Sequence, residues 1–355
     1  MTNGQRITTH PCQCDGHVHF HPLPEIPVRL VPFERSRWPR VRLRVVSALM
    51  VAGACRDQAQ VTSARRVEPT PLGSRSPVVA EIFAEGVISD AREQWRLTFT
   101  PDGHTAYFAS SAGFFPITRQ ATIYESRFVD GAWTTPTVAS FSGTYSDIDP
   151  FLSPNGQRLY FSSIRPVNGV VRGDIDVWYV DRTSDGWGDP VRLGAEVNSA
   201  DDELYPSADA NGTLYFASGP LAPQPGKHFD IYSAQRAGDG FAPREGLGSA
   251  INTSPTPNDA GLQDAWEFNP EISVDGKTLL FTSLRPGGYG VGDIYVSHFV
   301  NGDWTPAQNL GPLVNTAADE FHPTLTRNKR ELYFVRRIPL RGNFYHISTR
   351  VLDRF

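Results

Sequence analysis

Nine residues before a recurring turn position, the chain places Gln94, Asp147, Glu203, Glu267 and Glu320, the turn positions being Gly103, Gly156, Gly212, Gly276 and, in the last copy, Lys329. Two residues further on stand Arg96, Asp149, Tyr205, Asn269 and His322. An acid at one repeat position, followed by a polar set that differs in every copy, is chemistry able to hold a cation or the hydroxyls of a sugar. Glycoside hydrolysis needs two carboxylates facing one another across a pocket, and Asp147, Glu203, Glu267 and Glu320 offer them. Regular recurrence is equally what a structural role requires, with each acid bonding backbone amides of a neighbouring unit. The variable second set is the better candidate for specificity.

Other residues belong to the same pattern. Arg165 and Arg285 lie in S-x-R-P loops, with Arg337 at a roughly equivalent place in the fifth copy; they pair with the acids or bind an anionic ligand. Asp176, Asp230 and Asp293 begin D-I-Y-type segments and read as local backbone acceptors. Trp133, Trp187, Phe241 and Trp304 read as packing. The third copy carries an insertion, TSPTPNDAGLQDA, before Trp266, so Asp259, Asp264 and Trp266 are either a ligand cap or part of an irregular loop.

These residues sit on a repeat. The stretch from Glu267 to Pro306 holds β segments NPEIS, TLLFTS, DIYVSHF and DWTP separated by DG, RPGGYG and NG turns, one four-stranded sheet. Turn-aligned copies read TFTPDGHTAYFAS, FLSPNGQRLYFSS, SADANGTLYFAS, EISVDGKTLLFTS and TLTRNKRELYFVR, at spacings of 53, 56, 64 and 53 residues. The aromatic after a later turn, at Trp133, Trp187, Phe241 and Trp304, keeps the same period. The fifth copy stops at Phe355 without its outer strand, while Ile88 to Gly103 aligns without gaps on Val314 to Lys329. The segment from about Pro77 to Ser89 therefore supplies the missing strand and closes a ring. The expectation is an all-β, five-bladed β-propeller closed by an N-terminal outer strand, with six blades, one of them degenerate, as the alternative.

The motifs S-x-D-G-x-x-L-Y-F-x-S, S-x-R-P-G-G-x-G-x-x-D-I-Y and N-L-G-x-x-V-N-T-x-x-D-E-x-x-P resemble the TolB-like, WD-like β-propeller repeats of bacterial envelope proteins, over about residues 78–355. The resemblance implies the propeller fold and an envelope setting. Five-bladed glycosidases also place acids at the channel mouth, but in dissimilar blade contexts, whereas these acids share one repeat position.

Composition narrows the partners. Residues 1–55 hold seven Arg and three acids, which leaves 26 basic against 35 acidic residues in the remainder. An acidic body without clustered Lys and Arg argues against nucleic acid. The three cysteines, Cys12, Cys14 and Cys55, all precede the repeats, whose stability must come from packing. Residues 41–55 read as a lipoprotein-type signal: arginines, an apolar run too short to span a membrane, then AGAC ending at Cys55, the site of lipidation. Ordinary secretion is the alternative. Residues 1–40 form a leader that precedes a downstream start, at Val31 or Val41. Within it, Asp15, His17 and His19 in HPCQCDGHVHFHP resemble the metal-binding strand end of the amidohydrolase family, whose chemistry needs further ligands on later barrel strands. Residues 56–77, polar and Pro-containing, read as a flexible linker.

The functional expectation is a non-catalytic, monomeric binding propeller in the bacterial cell envelope, periplasmic or on the outer membrane, touching the membrane only through its lipid and partnering an envelope protein or glycan. The alternative is a carbohydrate-active enzyme of glycoside hydrolase type. No cofactor is required; a structural channel Ca²⁺ is a third reading. The ligand-binding candidates are Asp147, Asp149, Glu203, Tyr205, Glu267, Asn269, Glu320, His322, Arg165 and Arg285.

Overall fold

Alternating apolar residues between tight turns fold as the period predicts. The computed structural model describes residues 76–222, 227–254 and 266–355. The N-terminal leader, the signal with Cys55, the linker up to residue 75, and Asp259 and Asp264 of the insertion lie outside the described residues.

Five antiparallel sheets follow one another along the chain. Their inner strands are Glu93–Phe99, Asp147–Leu152, Asp202–Ala208, Glu267–Ile272 and Asp319–Leu325. Each pairs with a second strand and that with a third, and a short outer strand completes the blade. Every inner strand contacts the inner strand of the next blade, and the fifth contacts the first. The structure is thus a five-bladed β-propeller. The fourth strand of blade 5 is the N-terminal Glu81–Ile82, in register Glu81 with His346 and Ile82 with Tyr345. Pro77 O accepts from Ser348 N at 2.7 Å and Phe83 N donates to Phe344 O at 2.8 Å, which lengthens the seam.

Antiparallel parity sorts the loops. The start of each inner strand, the second-to-third strand loops and the connections between blades lie on one face, here the loop face. The DG-type turns lie on the other, the turn face. Leu, Ile, Val and Phe from adjacent blades pack between sheets; one cluster joins Phe151, Tyr160 and Val177 of blade 2 to Leu214 and Phe216 of blade 3. The aromatics that follow the later turn pack across seams: Trp187 meets Tyr107 of blade 1 edge-on at 5.9 Å, and Trp304 meets Tyr215 of blade 3 at 6.3 Å. No described helix is long and apolar enough to cross a membrane.

Candidate functional site

The ring of acids is built at the point where one blade hands the chain to the next. Asp147, Glu203, Glu267 and Glu320 are all fully buried. Glu267 accepts from Thr253 N at 2.9 Å, Thr253 Oγ1 at 2.9 Å, Ser283 Oγ at 2.7 Å and Arg285 Nη2 at 3.1 Å. Glu203 repeats this with Ser199 N, Ser199 Oγ, Ser218 Oγ and Arg244 Nη1. Glu320 takes Thr316 N, Thr316 Oγ1 and Arg336 Nε. Asp147 takes Ser142 Oγ, Ser163 Oγ and Arg165 Nη2. Each arginine continues to a carbonyl of the preceding connection, at Val197, Ile251, Val314 or Phe141. The result is a clasp that locks each connection to the blade it enters. Burial pushes all four carboxyls above their ordinary pKa values, and the hydroxyl, amide and guanidinium donors pull them back.

The fifth-copy arginine of this clasp is Arg336, not Arg337. In blade 5 the residue in register with the acid is Arg336, where Ser283 stands opposite Glu267, so Arg336 reaches Glu320 directly. Arg337 instead extends to Glu93 Oε1 at 2.7 Å, and Glu93 Oε2 accepts from Gly342 N at 2.9 Å, which ties blade 5 to blade 1. In blade 3 the arginine comes from outside the repeat position, as Arg244 ahead of the outer strand. Blade 1 has no acid there: Gln94 Nε2 donates to Asp90.

A neighbouring set of residues escaped the sequence reading. Asn198, Asn252 and Asn315 each accept from, and donate to, one residue of their blade's third strand, Val177, Ile231 and Ile294 respectively. Ser89 and Ser142 do part of this work in blades 5 and 1. The N-[ST] pair in V-N-T was the available signal, since its Asn holds the third strand and its Ser or Thr holds the acid.

Asp149, Tyr205, Asn269 and His322 form a second ring further in. Every inner strand bulges at this point, and these four residues take left-handed backbone angles, with φ of 57°, 61°, 52° and 51°. Each precedes a proline, Pro150, Pro206, Pro270 or Pro323, whose missing N–H costs nothing where the ladder is already broken. Blade 1 has Leu97 in the proline position, and Arg96 keeps ordinary angles. The side chains are sealed from solvent. His322 Nδ1 lies 3.1 Å from Asn269 Nδ2 and 3.6 Å from Asp149 Oδ1. Arg96 pairs with buried Glu271 and donates to Pro270 O at 3.1 Å.

Charges in this sealed cluster are unequally compensated. Burial pushes the Asp149 carboxyl up to about 8, only partly opposed by Arg96, and both its oxygens lack a hydrogen-bond partner. Burial, with repulsion from Arg96, drives His322 well below the usual imidazole range. At neutral pH, therefore, Asp149 is largely protonated, His322 is neutral, and their proximity is not an ion pair. Glu271 is raised to about 7 by burial despite its guanidinium partner. Among the described residues no group of three or more His, Cys, Asp or Glu side chains is arranged to hold a metal ion.

The axial cavity opens at the end away from the acid ring, while a separate recess of about 470 Å³ lies on the loop face between Arg119, Arg172, Asp201 and Asp202. A cavity of about 290 Å³ occupies the axis at the turn face, bordered by Thr98, Leu152, Glu271 and Thr324 and rimmed by the turns. On the loop face, Trp95 stacks on Phe321 at 6.0 Å and Tyr205 packs on Phe268 at 5.8 Å. Trp266, the one described aromatic of the insertion's end, is buried edge-on against Phe229 at 5.0 Å, a packing position. Asp293 accepts from the amides of Tyr289 and Gly290, as the local-acceptor reading expects, whereas Asp176 is held by both Arg192 nitrogens at 2.7 Å.

No protein-family model matches the chain, and a search of curated proteins finds no match. Solved structures with a similar course include TolB from Acinetobacter baumannii, at 16% identity and a TM-score of 0.44, covering 73% of this chain and 55% of that one. The chain spans about half the length of that TolB. An endo-arabinase from Bacteroides thetaiotaomicron matches at 13% identity and a TM-score of 0.47, covering 77% and 97% of the two chains. A thermostable family-43 glycoside hydrolase matches at 12% identity and 0.49, covering 74% and 91%. TolB proteins thus stand among the matches, alongside the resemblance of the repeats. The blade count rests on this chain's own strand pairing.

Proposed function

We propose that the chain is a non-catalytic binding propeller of the bacterial envelope, tethered by a lipid at Cys55 and engaging a protein or glycan on its loop face. The observation that carries this reading is the saturation of the acid ring. Acid–base or nucleophilic work needs a carboxylate with a lone pair or proton to spend, and each ring acid accepts three or four hydrogen bonds from its own blade and the connection leading into it. Of the remaining axial acids, Asp149 is sealed from solvent, and Glu271, on the wall of the turn-face cavity, is engaged by Arg96 and by Leu325 N.

The loop face offers contact area instead. Its loop tips expose Ile117, Val170, Val171, Tyr289, Val291, Ile338 and Leu340, with Ile117 and Leu340 at 82% and 80%. Some charged neighbours are already paired, Arg119 with Asp202 at 3.1 Å and Lys227 with Asp201 at 2.8 Å, so apolar contact makes up much of what a partner meets.

Two measurements test the reading. Reducing-sugar release from a panel of plant and bacterial polysaccharides should show no turnover; turnover that disappears in folded Glu203→Gln or Glu267→Gln establishes the carbohydrate-active alternative. Incorporation of labelled palmitate should occur in the full chain and vanish in Cys55→Ala. Labelling that persists in the variant, or is absent from the full chain, removes the anchor.

A further inference from the structure

The blades are stitched near the turn face by one residue of each inner strand, the position of Thr98, Phe151, Ser207, Glu271 and Thr324. Thr98 Oγ1 accepts from Leu152 N of blade 2 at 3.1 Å, and Ser207 Oγ from Ile272 N of blade 4 at 3.3 Å. Glu271 Oε1 accepts from Leu325 N of blade 5 at 3.1 Å, and Thr324 Oγ1 donates to Leu97 O of blade 1 at 2.7 Å. Four seams are closed this way. At the fifth, between blades 2 and 3, the position is Phe151, whose ring offers no such bond and lies 5.5 Å beneath the Arg96 guanidinium.

That seam is where the turn face opens. A cleft of about 340 Å³ runs along it and meets the axial cavity at Ser153, Pro154, Ala208 and Arg327, which border both. Three arginines from three blades line the cleft: Arg158, Arg236 and Arg327. Arg158 is committed, gripping Asp181 through two bonds at 2.6 and 2.8 Å. The cleft's other acid, Asp209, is held at one oxygen, its Oδ1 accepting from Asn211 N and Thr213 N at 2.9 Å, and has no cationic partner among the described residues.

Two guanidinium groups are left over. Arg236 Nε donates to Gly238 O at 2.8 Å, and its remaining nitrogens have no carboxylate partner among the described residues. Arg327 has neither an ion pair nor a side-chain hydrogen bond among the described residues, although the chain carries a net charge of −5. An acidic protein that directs two uncompensated, fork-shaped donors from blades 3 and 5 into one concave seam has built the donor half of an oxyanion site.

We propose that this seam binds a small molecule bearing a phosphate-type oxyanion, held by Arg236 and Arg327, with its neutral remainder in the axial cavity against Pro101, Pro154 and Leu152. The site is independent of the loop-face reading and lies on the opposite face. Inorganic phosphate and a hexose phosphate share the head group and differ in the remainder. Isothermal titration at low ionic strength with inorganic phosphate, glucose 6-phosphate and glucose distinguishes them.

Glucose 6-phosphate should bind at least tenfold more tightly than inorganic phosphate, and glucose should give no heat. Arg236→Ala and Arg327→Ala should each weaken glucose 6-phosphate binding at least tenfold. Both side chains are exposed, so the variants should keep the wild-type circular dichroism. Arg330→Ala, an exposed arginine of the same face outside the cleft, should bind as wild type. The proposal is overturned by no binding of either anion, by unchanged affinity in the double variant, or by an equal loss in Arg330→Ala, which would reduce the effect to general surface charge.

Discussion

At the scale of single residues, the most informative group is Asp149. Its carboxyl is neutral at pH 7 because it is sealed without a donor, and stability must therefore depend on pH in a definite direction. The folded pKa of about 8 exceeds the ordinary aspartate value of 3.8, so the unfolded chain releases the proton first. The contribution is fully present below pH ~4 and is lost as pH rises towards about 8. Asp149→Asn should raise the melting temperature at pH 8 and leave it almost unchanged near pH 4; equal shifts at both values would show that ionisation is not the cause. His322 acts with the opposite sign, because its lowered pKa costs stability as pH falls through the ordinary imidazole range. Glu267 makes a different prediction. Glu267→Ala leaves Arg285, 17% exposed, without its anion and should cost about 3 kcal/mol in chemical denaturation, with Glu267→Gln costing less. The positions of these side chains were legible as a period in the sequence. Their saturation was legible only in part, since backbone-amide bonding was expected but the hydroxyl and guanidinium partners of Glu267 lie 14 to 18 residues away along the chain, and in blade 3 the arginine is not at a repeat position.

At the scale of elements, the blade is held less by its short outer strands than by the connection that follows them. Asn315 supplies the edge of the third strand with both an acceptor for Ile294 N, at 2.8 Å, and a donor to Ile294 O, at 2.9 Å, as a further strand residue would. Asn315→Ala should cost about 1–3 kcal/mol and speed amide hydrogen exchange at Ile294, because the buried Ile294 N–H loses its acceptor, while Ile294 O keeps Leu310 N at 3.0 Å. Exchange unchanged at Ile294 would show that the outer strand alone protects that edge. The turn glycines and the acceptor role of Asp293 were readable, because each answers a local backbone demand. The seam between blades 2 and 3 was not, because a single Phe at a position otherwise held by Thr, Ser or Glu carries no signal until the neighbouring blade is seen beside it.

At the scale of the whole molecule, periodicity was enough to give the number of blades and the source of the closing strand, because a ring of equal units leaves one arrangement in which no edge is bare. It could not tell which mouth of the axis is open, since that depends on how aromatic side chains of different blades fill the loop side. Closure also predicts behaviour. A chain truncated to begin at Ala91 should lose its cooperative thermal transition and elute as aggregates, because the edge of Gly342–Ser348 is then uncovered; a sharp transition and a monomeric elution would mean that four covered blades suffice. The seam has a further consequence in time. Ser89 bonds Phe344, 255 positions further along the chain, among the most distant contacts the described residues make. The first strand to leave the ribosome, or the export channel, must wait unpaired until the last one follows it. Blades 1 to 4 can condense as they emerge, but the ring is finished late and all at once, and in that interval its two ends are the surfaces a chaperone has to guard.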